Sequence, residues 1–347
     1  MLADQHVWVV VLAGGIGSRF WPVSTPERPK QLLPLASGQP LIADTLDRAR
    51  ALVPDARIRI LAGEHLARPF AGVLRGFPAE GYWIEPKARG TAPVLAWAAE
   101  KLARIDPEAV MVSLHADHLI RPVEAFEQTV AAAVRVARQD SALVCIGVPP
   151  DRVETGYGHV EPGASVDAGE GIQAFRVRAF HEKPDPTTAK RYVDHGYLWN
   201  TGIFVWKTSQ LLEELTRHAP EVAPYLPLIS RSDQAFFDAV PVSVIDRAVM
   251  ERSERVATVR ATFSWDDVGS WEALSRTRPP DALGNVSVGA SRAVDARNNV
   301  VFAEEGEVVL YGVSDLVVVR TPDRTLVLPR ERAADLKTLL SELEKEK

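Results

Sequence analysis

A glycine-rich loop follows the first apolar run of the sequence and contains residue types suited to binding phosphate. Gly14, Gly15 and Gly17 come directly after the run Val7–Ala13, and Ser18 lies beside them. Glycines let backbone N–H groups approach a phosphate chain closely, because no Cβ stands in the way. The loop therefore predicts a polyphosphate site, although glycines alone would fit a plain tight turn equally well.

Two better-known phosphate motifs do not fit this loop. The dinucleotide fingerprint G-x-G-x-x-G requires a third small residue, and Phe20 stands at that position. The P-loop requires Gly-Lys-Ser/Thr, which does not occur there. A nucleotide-dependent oxidoreductase, which a glycine loop in an α/β pattern would otherwise suggest, is therefore disfavoured.

Two cationic side chains accompany the glycines. Arg19 lies inside the loop, and Lys30 follows in the tripeptide Pro29-Lys30-Gln31. A guanidinium fork and a lysine point charge beside backbone donors are what a nucleoside triphosphate requires. Either cation alone would be interpreted as solvated surface charge. Together with the glycines, they favour triphosphate binding.

Two aspartates are candidate ligands for a hard cation. Asp117 follows the apolar run Ala109–Leu114, and Asp267 comes 150 residues later, before Val-Gly-Ser. Phosphoryl transfer needs a cation that bridges phosphates, and Mg²⁺ usually takes only one or two protein carboxylates. Two aspartates brought together at strand ends would meet this need.

The residues around these two aspartates also fit other assignments. His115, Asp117 and His118 are all types that ligate zinc. In an extended segment, however, His118 would face away from the other two, which disfavours zinc. Asp266 is adjacent to Asp267 and is an alternative to it as the cation ligand.

Alternating strands and helices must position these groups. Four short apolar runs predict strands buried on both faces of a parallel sheet: Val7–Ala13, Ile58–Ala62, Ala109–Leu114 and Leu143–Val148. Helical patterns lie between them, one with Thr91 as N-cap and Pro93 in its first turn, another over residues 123–138. We expect a Rossmann-like, three-layer α/β/α domain with ligand-binding loops at the strand ends.

The pattern changes near the C-terminus. Pro279-Pro280 and Gly284-Asn285 indicate a linker, so we expect a catalytic domain over 1–278 and a small β-rich domain over 284–347. The predicted strands of the second are Val286–Val288, Val300–Phe302, Val308–Leu310, Leu316–Val319 and Leu326–Leu328. A closing amphipathic helix presents Ala333, Leu336, Leu340 and Leu343 on one stripe.

Bulk composition excludes several function classes. The 347 residues carry a formal net charge of −6, which disfavours broad nucleic-acid binding. The single Cys145 allows no intrachain disulfide and is expected to be a buried structural thiol. Val7–Ala13 lacks a basic flank, and no apolar stretch reaches the ~20 residues that a membrane span needs. We therefore expect a cytoplasmic protein with no membrane partner.

The loop at residues 14–31, GGIGSRFWPVSTPERPKQ, resembles the signature loop of sugar-nucleotide pyrophosphorylases. Its Trp21-Pro22 and Pro29-Lys30-Gln31 are more similar to the guanylyltransferases acting on mannose 1-phosphate than to thymidylyl or uridylyl relatives. The likeness continues, in the family's order over about residues 7–275, through Glu85-Pro86, Arg89, Thr91-Ala92-Pro93, His115–His118, Gly156-Tyr157-Gly158, Glu182-Lys183-Pro184, Trp199-Asn200-x-Gly202 and Trp265–Trp271.

The resemblance implies a role for each matching residue. The implied catalytic residues are Arg19, Lys30, Asp117, Lys183 and Asp267, with Mg²⁺ held by Asp117 and Asp267. The implied nucleotide-binding residues are Ala13, Gly14, Gly15, Gly17, Ser18, Arg19, Lys30, Glu85, Pro86, Arg89, Thr91 and Ala92. The implied sugar phosphate-binding residues are Gly156, Tyr157, Gly158, Glu161, Glu182, Lys183 and Asn200.

The implied reaction joins GTP to mannose 1-phosphate and releases pyrophosphate, forming GDP-mannose. A β-helix-like C-terminal domain, a homodimer and the absence of the isomerase domain of longer relatives are also expected. The sequence departs from the family pattern at Gly90, where Asn is common, and at His159, where Tyr is common. The alternatives are a catalytically silent nucleotide-sugar sensor and a pyrophosphorylase with another nucleotide and sugar pair.

Overall fold

The chain folds into two compact units that interleave along the sequence. The computed structural model describes residues 2, 4–15, 17–169 and 171–345. The first unit comprises Met1–Gly14, Thr45–Ala116 and Ile120–Trp265, and the second comprises Gly15–Asp44, Asp117–Leu119 and Asp266–Lys347. The units are defined by packing in space, and each combines separate stretches of the sequence. The predicted domain boundaries, 1–278 and 284–347, therefore stay a prediction.

The first unit contains a mixed sheet, which has nine strands within the described residues, in the order β3-β2-β1-β4-β9-β6-β10-β8-β7. Its strands are β1 Val7–Leu12, β2 Ile58–Gly63, β3 Tyr82–Glu85, β4 Val110–His115, β6 Leu143–Val148, β7 His159–Val166, β8 Ala174–His181, β9 Leu198–Lys207 and β10 Val256–Arg260. A separate pair consists of β5 Leu119–Arg121 and β11 Ser264–Asp266.

The four predicted apolar runs are all strands of this sheet. β1 and β6 are buried at every position, as strands covered on both faces must be. The four predicted strands all run in one direction, but the whole sheet is mixed, because β9 lies antiparallel between β4 and β6. The direction of β9 could not be read from its sequence, since a buried run of apolar residues looks the same in either direction.

Helices cover the sheet and complete the three-layer α/β/α architecture. Their bounds are α1 Leu41–Leu52, α2 Glu64–Val73, α3 Thr91–Ile105, α4 Val123–Gln139, α5 Pro186–Asp194, α6 Thr208–His218, α7 Leu226–Ile229 and α8 Asp233–Ala239. The N-cap prediction at Thr91 is wrong, because Gly90 is the N-cap and Thr91 is the first helical residue. Cys145 is confirmed as buried, and burial raises the pKa of its thiol to about 12.

The second unit is built around a four-stranded sheet and a hydrophobic core. It contains β12 Val286–Val294, β13 Val300–Tyr311, β14 Leu316–Arg320 and β15 Thr325–Pro329, together with helices α9 Ala273–Thr277 and α10 Leu336–Lys345. The predicted separation of Val300–Phe302 from Val308–Leu310 is wrong, because both lie in β13. Its polar middle residues are mostly exposed and do not interrupt the strand.

One aromatic side chain shows how the motifs of the second unit share this core. Trp271 lies 4.9 Å from Phe20 and 5.0 Å from Phe302, measured between ring centroids, and its indole N–H donates to Trp21 O at 3.1 Å. The predicted stripe of the last helix is only partly used for packing, since Leu336 is buried but Leu343 is 37% exposed. Among the described residues, no helix is long and apolar enough to cross a membrane.

Candidate active site

The glycine-rich loop passes from the first unit to the second between Gly14 and Gly15. On the first-unit side, Ala13 is buried and its N–H donates to Leu61 O at 2.9 Å. A Cβ placed on Gly14 would lie 3.5 Å from Glu85 Oε1, so the carboxyl group at the end of β3 lies next to the start of the loop. Burial raises the pKa of Glu85.

On the second-unit side, Gly17 allows a close approach of the backbone to Lys30. Gly17 has φ +68°, and a Cβ there would overlap Lys30 Cβ, so no other residue fits. Ser18 and Arg19 follow in a short 3-10 helix that ends at Phe20. Ser18 is partly buried and Arg19 is exposed, so the guanidinium predicted to bind phosphate is accessible.

Lys30 brings the two predicted metal-binding aspartates of the second unit together. Lys30 is only 6% exposed. Its ammonium lies 2.9 Å from Asp117 Oδ2 and donates to the backbone carbonyl of Asp267 at 2.6 Å. A buried lysine must be paired, because an uncompensated buried charge is strongly unfavourable. Three residues chosen separately from the sequence therefore converge on one point.

The backbone around Asp267 has an unusual conformation. Val268 has φ +47°, a genuine outlier for a β-branched residue, and its N–H donates to Asp266 Oδ1 at 2.7 Å. A Cβ on Gly269 would lie 2.7 Å from Asp267 Oδ2, so the missing side chain makes room for that carboxylate. Strain of this kind concentrates at functional sites.

Asp266 has a different environment from its neighbour. Its Oδ2 accepts from Arg276 Nε at 2.8 Å, Arg276 Nη2 donates to its Oδ1 at 3.3 Å, and the residue is 7% exposed. Its carboxylate is therefore occupied in an internal ion pair. This geometry favours Asp267 over Asp266 as a cation ligand.

The expectation that His118 faces away from Asp117 is wrong. β4 ends at His115 and the chain turns at Ala116–Asp117, so the segment is not extended. A carboxylate oxygen of Asp117 and a ring nitrogen of His118 lie within 4.8 Å of each other. The histidine and the aspartate therefore share one side of this turn.

The predicted nucleotide residues at the start of α3 hold backbone groups of the first unit. Arg89 Nε donates to Phe237 O at 2.7 Å and Arg89 Nη2 to Asp238 O at 3.0 Å. Thr91 Oγ1 accepts from Ile245 N at 2.9 Å. These side chains therefore order the loop around the helix start.

Two further predicted nucleotide residues lie here, the exposed Pro86 and the buried Ala92, whose N–H donates to Ser243 O at 3.2 Å. The nucleotide role of all four stays a prediction.

Gly90 departs from the family pattern for a steric reason. Its φ is +85°, and a Cβ would overlap Ser243 O. We expect Gly90→Ala to lower the free energy of unfolding by about 2–4 kcal/mol, because of backbone strain and the clash. In α2, a Cβ on Gly72 would meet nothing within 4 Å, so Gly72→Ala is the matched control, expected to change stability by less than about 1 kcal/mol. Urea denaturation of both variants measures this, and equal midpoints would contradict it.

Four of the predicted sugar-binding residues come together. A Cβ on Gly158 would lie 2.9 Å from Glu182 Oε2 and 3.3 Å from Asn200 Cβ, and Asn200 N–H donates to Gly158 O at 2.8 Å. The Glu182 side chain is 7% exposed and pairs with the exposed ammonium of Lys183. Lys183 itself has φ +53°. The structure therefore groups a carboxylate, an amide and a lysine.

Glu161 lies apart from that group. Its carboxylate accepts from Arg178 Nη1 at 2.8 Å and from the Tyr197 hydroxyl at 3.0 Å. Burial alone would raise the pKa of Glu161, but these two hydrogen bonds lower it. The preceding Val160 faces the core, and neighbouring strand residues point to opposite faces of a sheet. Glu161 is therefore directed away from that core face.

The remaining predicted sugar residues belong to the turn before β7. Gly156 is exposed and its N–H donates to Glu154 Oε1 at 2.9 Å, while the Tyr157 ring packs edge-on against Trp199 and Trp265. His159, the second departure from the family pattern, is buried, and burial lowers the pKa of its imidazole.

Sequence reasoning missed Asp246. Its Oδ1 accepts from Asn200 Nδ2 at 2.9 Å. Burial, together with the nearby Glu182 carboxylate, raises the pKa of Asp246 to about 6. A carboxyl group with a raised pKa beside predicted ligand residues is itself a functional-site candidate. No motif or spacing marks this lone aspartate in the sequence.

Comparison with known proteins identifies the family. Residues 8–281 match the Nucleotidyl transferase family, and residues 289–343 match the MannoseP isomerase/GMP-like beta-helix domain. The mannose-1-phosphate guanylyltransferase of Escherichia coli K12 is 36% identical over 99% of this chain and 74% of that protein. The alginate biosynthesis protein AlgA of Pseudomonas aeruginosa is 34% identical over 96% of this chain and 72% of its own length.

A solved structure agrees with both matches. The crystal structure of a protein described as mannose-1-phosphate geranyltransferase, from Thermus thermophilus, superposes with a TM-score of 0.88 at 34% identity. The match covers 98% of this chain and 100% of that one. The chain therefore belongs to the Nucleotidyl transferase family and carries a GMP-like β-helix domain at its C-terminal end.

Proposed function

We propose that this chain transfers the guanylyl group of GTP to α-D-mannose 1-phosphate, forming GDP-mannose and pyrophosphate. The observation that supports this most is the 36% identity, over nearly the whole chain, to a protein named mannose-1-phosphate guanylyltransferase. The pairing of Lys30 with Asp117 and Asp267 fits the same chemistry, because it joins a phosphate-binding cation to two oxygen-donor residues.

Asp117 and Asp267 are the residues that would hold Mg²⁺. Their fit rests on two features: the Asp117 carboxylate and the Asp267 backbone carbonyl approach the same Lys30 ammonium, and Gly269 leaves space for the Asp267 carboxylate. Carboxylate oxygens are the ligands that this hard cation prefers. Bound Mg²⁺ would neutralise negative charge on the phosphates.

The nucleotide is bound by the loop and its cations. Backbone N–H groups of Gly14, Gly15 and Gly17 approach the phosphates, and Arg19 and Lys30 hold the triphosphate and the leaving pyrophosphate. The incoming sugar phosphate is already ionised at neutral pH, since its second pKa is about 6. No general base is needed, so rate acceleration comes from positioning and charge neutralisation.

The sugar phosphate is bound by the group around Gly158. Lys183 holds its phosphate. The Glu182 carboxylate accepts hydrogen bonds from sugar hydroxyls, and the Asn200 amide donates to them. The side chains fit these roles because Glu182 and Asn200 lie together and Lys183 extends to the surface beside them. A homodimer and a cytoplasmic location complete the proposal.

The direct test is product identification. Purified protein with GTP, mannose 1-phosphate and Mg²⁺ is expected to form GDP-mannose, detected by mass spectrometry, together with an equal amount of pyrophosphate. If pyrophosphate is released together with a different nucleotide sugar, the assigned substrates change but the reaction class stays the same. GTP binding without any product would favour a silent nucleotide-sugar sensor.

Replacing Glu161 tests the predicted sugar-binding residue that lies apart from the group around Gly158. If Glu161 contacts the sugar, Glu161→Ala raises the KM for the sugar phosphate by about tenfold and leaves the KM for the nucleotide unchanged. Initial rates at varied sugar phosphate measure this. An unchanged sugar KM would assign Glu161 to its internal contacts with Arg178 and Tyr197 alone.

A further inference from the structure

One short segment of the first unit, residues 243–251, contacts the predicted sugar-binding group and was singled out by no motif. It contains a π-helical turn, Asp246–Met250, followed by Glu251. Such turns are rare and are frequent at functional sites. The segment is anchored at its other end, since Ser243 N–H donates to Arg89 O at 3.0 Å and Ile245 N–H donates to Thr91 Oγ1 at 2.9 Å.

Two carboxylates of this segment each hold a predicted sugar ligand. Asp246 Oδ1 accepts from Asn200 Nδ2 at 2.9 Å. Glu251 Oε1 accepts from the backbone N–H of Glu182 at 2.8 Å. The segment therefore holds both the Asn200 amide and the backbone of Glu182.

The bond from Asn200 to Asp246 determines which way the amide points. Gly202 N–H donates to Asn200 Oδ1 at 3.0 Å, while Asp246 accepts from the nitrogen end. A flipped amide would place its oxygen against the Asp246 carboxylate, exchanging a donor for an acceptor. Asn200 is 8% exposed, so this orientation decides what the buried amide offers to a ligand.

We propose that Asp246 is a positioning residue for the sugar phosphate: it orients the Asn200 amide so that a nitrogen-bound hydrogen faces a sugar hydroxyl, while Glu251 fixes the backbone of Glu182. This inference rests on the proposed function. It assigns to Asp246 an effect on sugar binding that is transmitted through Asn200.

The electrostatic environment of Asp246 agrees with such a role. Burial and, after it, the nearby Glu182 carboxylate raise the pKa of Asp246, while Lys183 and the Asn200 amide lower it. A carboxyl group held near a second carboxylate is unfavourable for folding, and such groups cluster at functional sites. In its ionised form the group is the better acceptor for the amide.

The test compares Asp246→Ala with Asp246→Asn, using whichever nucleotide and sugar phosphate give wild-type protein its fastest pyrophosphate release. The alanine variant is expected to raise the sugar phosphate KM at least about tenfold, with the nucleotide KM changed less than about twofold. Asp246→Asn retains an acceptor oxygen and is expected to stay within about threefold of wild type. Glu254→Ala removes an exposed carboxylate beside the segment and is the control, expected to match wild type.

A double-mutant cycle separates positioning from general damage. If Asp246 acts through Asn200, then Asp246→Ala adds no further rise in sugar KM to Asn200→Ala. Additive effects, equal rises in both KM values, or a wild-type sugar KM in Asp246→Ala would each overturn the proposal. Thermal unfolding checks that each variant folds, and Asp246→Ser replaces the alanine variant if that one does not.

The outcome is independent of the assigned substrates. A wild-type preference for another nucleotide and sugar pair would defeat the proposed function and leave this test intact. If wild-type protein releases no pyrophosphate, calorimetric titration with mannose 1-phosphate takes its place. Equal affinity of wild type and Asp246→Ala would then overturn the inference.

Discussion

Replacing Lys30 by methionine is expected to lower kcat at least about 100-fold, as for the loss of a charge partner in the transition state. The ammonium is buried, lies 2.9 Å from Asp117 Oδ2 and donates to Asp267 O. Methionine keeps most of the aliphatic volume and removes the charge together with its hydrogen-bond donors. The measurement is the initial rate of pyrophosphate release at saturating nucleotide and sugar phosphate.

Lys190→Met is the matched control for this substitution. Lys190 is an exposed lysine paired with Asp194 one helical turn away, so its loss should leave kcat unchanged and stability within about 0.5 kcal/mol of wild type. Near-normal turnover in a correctly folded Lys30→Met protein would remove Lys30 from the catalytic set.

The neighbouring aspartates 266 and 267 are expected to respond to the same substitution in opposite ways. Asp267→Asn should lower kcat at least about 100-fold with little change in stability, because it removes a carboxylate ligand of the cation. Asp266→Asn should instead lower the free energy of unfolding by about 2–4 kcal/mol, because it leaves the Arg276 guanidinium without its charged partner.

Manganese binding and urea denaturation separate these two effects. Electron paramagnetic resonance titration with Mn²⁺ should show weaker binding to Asp267→Asn than to wild type, independent of turnover. The two roles would be reversed if Asp267→Asn kept wild-type Mn²⁺ affinity and turnover while a folded Asp266→Asn protein lost both.

Much of the fold could be predicted because its strands are uniform in character. Val7–Leu12 and Leu143–Val148 are apolar throughout, and such runs identify buried strands to within a residue. The direction of Leu198–Lys207 could not be predicted, since burial on both faces leaves no pattern that distinguishes parallel from antiparallel pairing. Val300–Tyr311 was predicted as two strands instead of one, because the exposed polar residues in its middle resemble a loop.

Some residues of the candidate site could likewise be predicted from the sequence, and others could not. Lys30, Asp117 and Asp267 could be selected because each lies in or beside a recognisable motif, and the structure adds that one ammonium joins them. Asp246 could not be found, since its partner Asn200 is 46 residues away and neither spacing nor a repeated pattern connects them. Contacts between distant segments depend on topology, which single motifs do not encode.

The most direct test of the substrate assignment is pyrophosphate release with Mg²⁺, crossing GTP, ATP, UTP and dTTP against mannose 1-phosphate and glucose 1-phosphate. We expect the fastest release with GTP and mannose 1-phosphate. Faster release with any other pair would contradict the proposed guanylyl transfer to mannose 1-phosphate, and no release from folded protein would contradict catalysis itself.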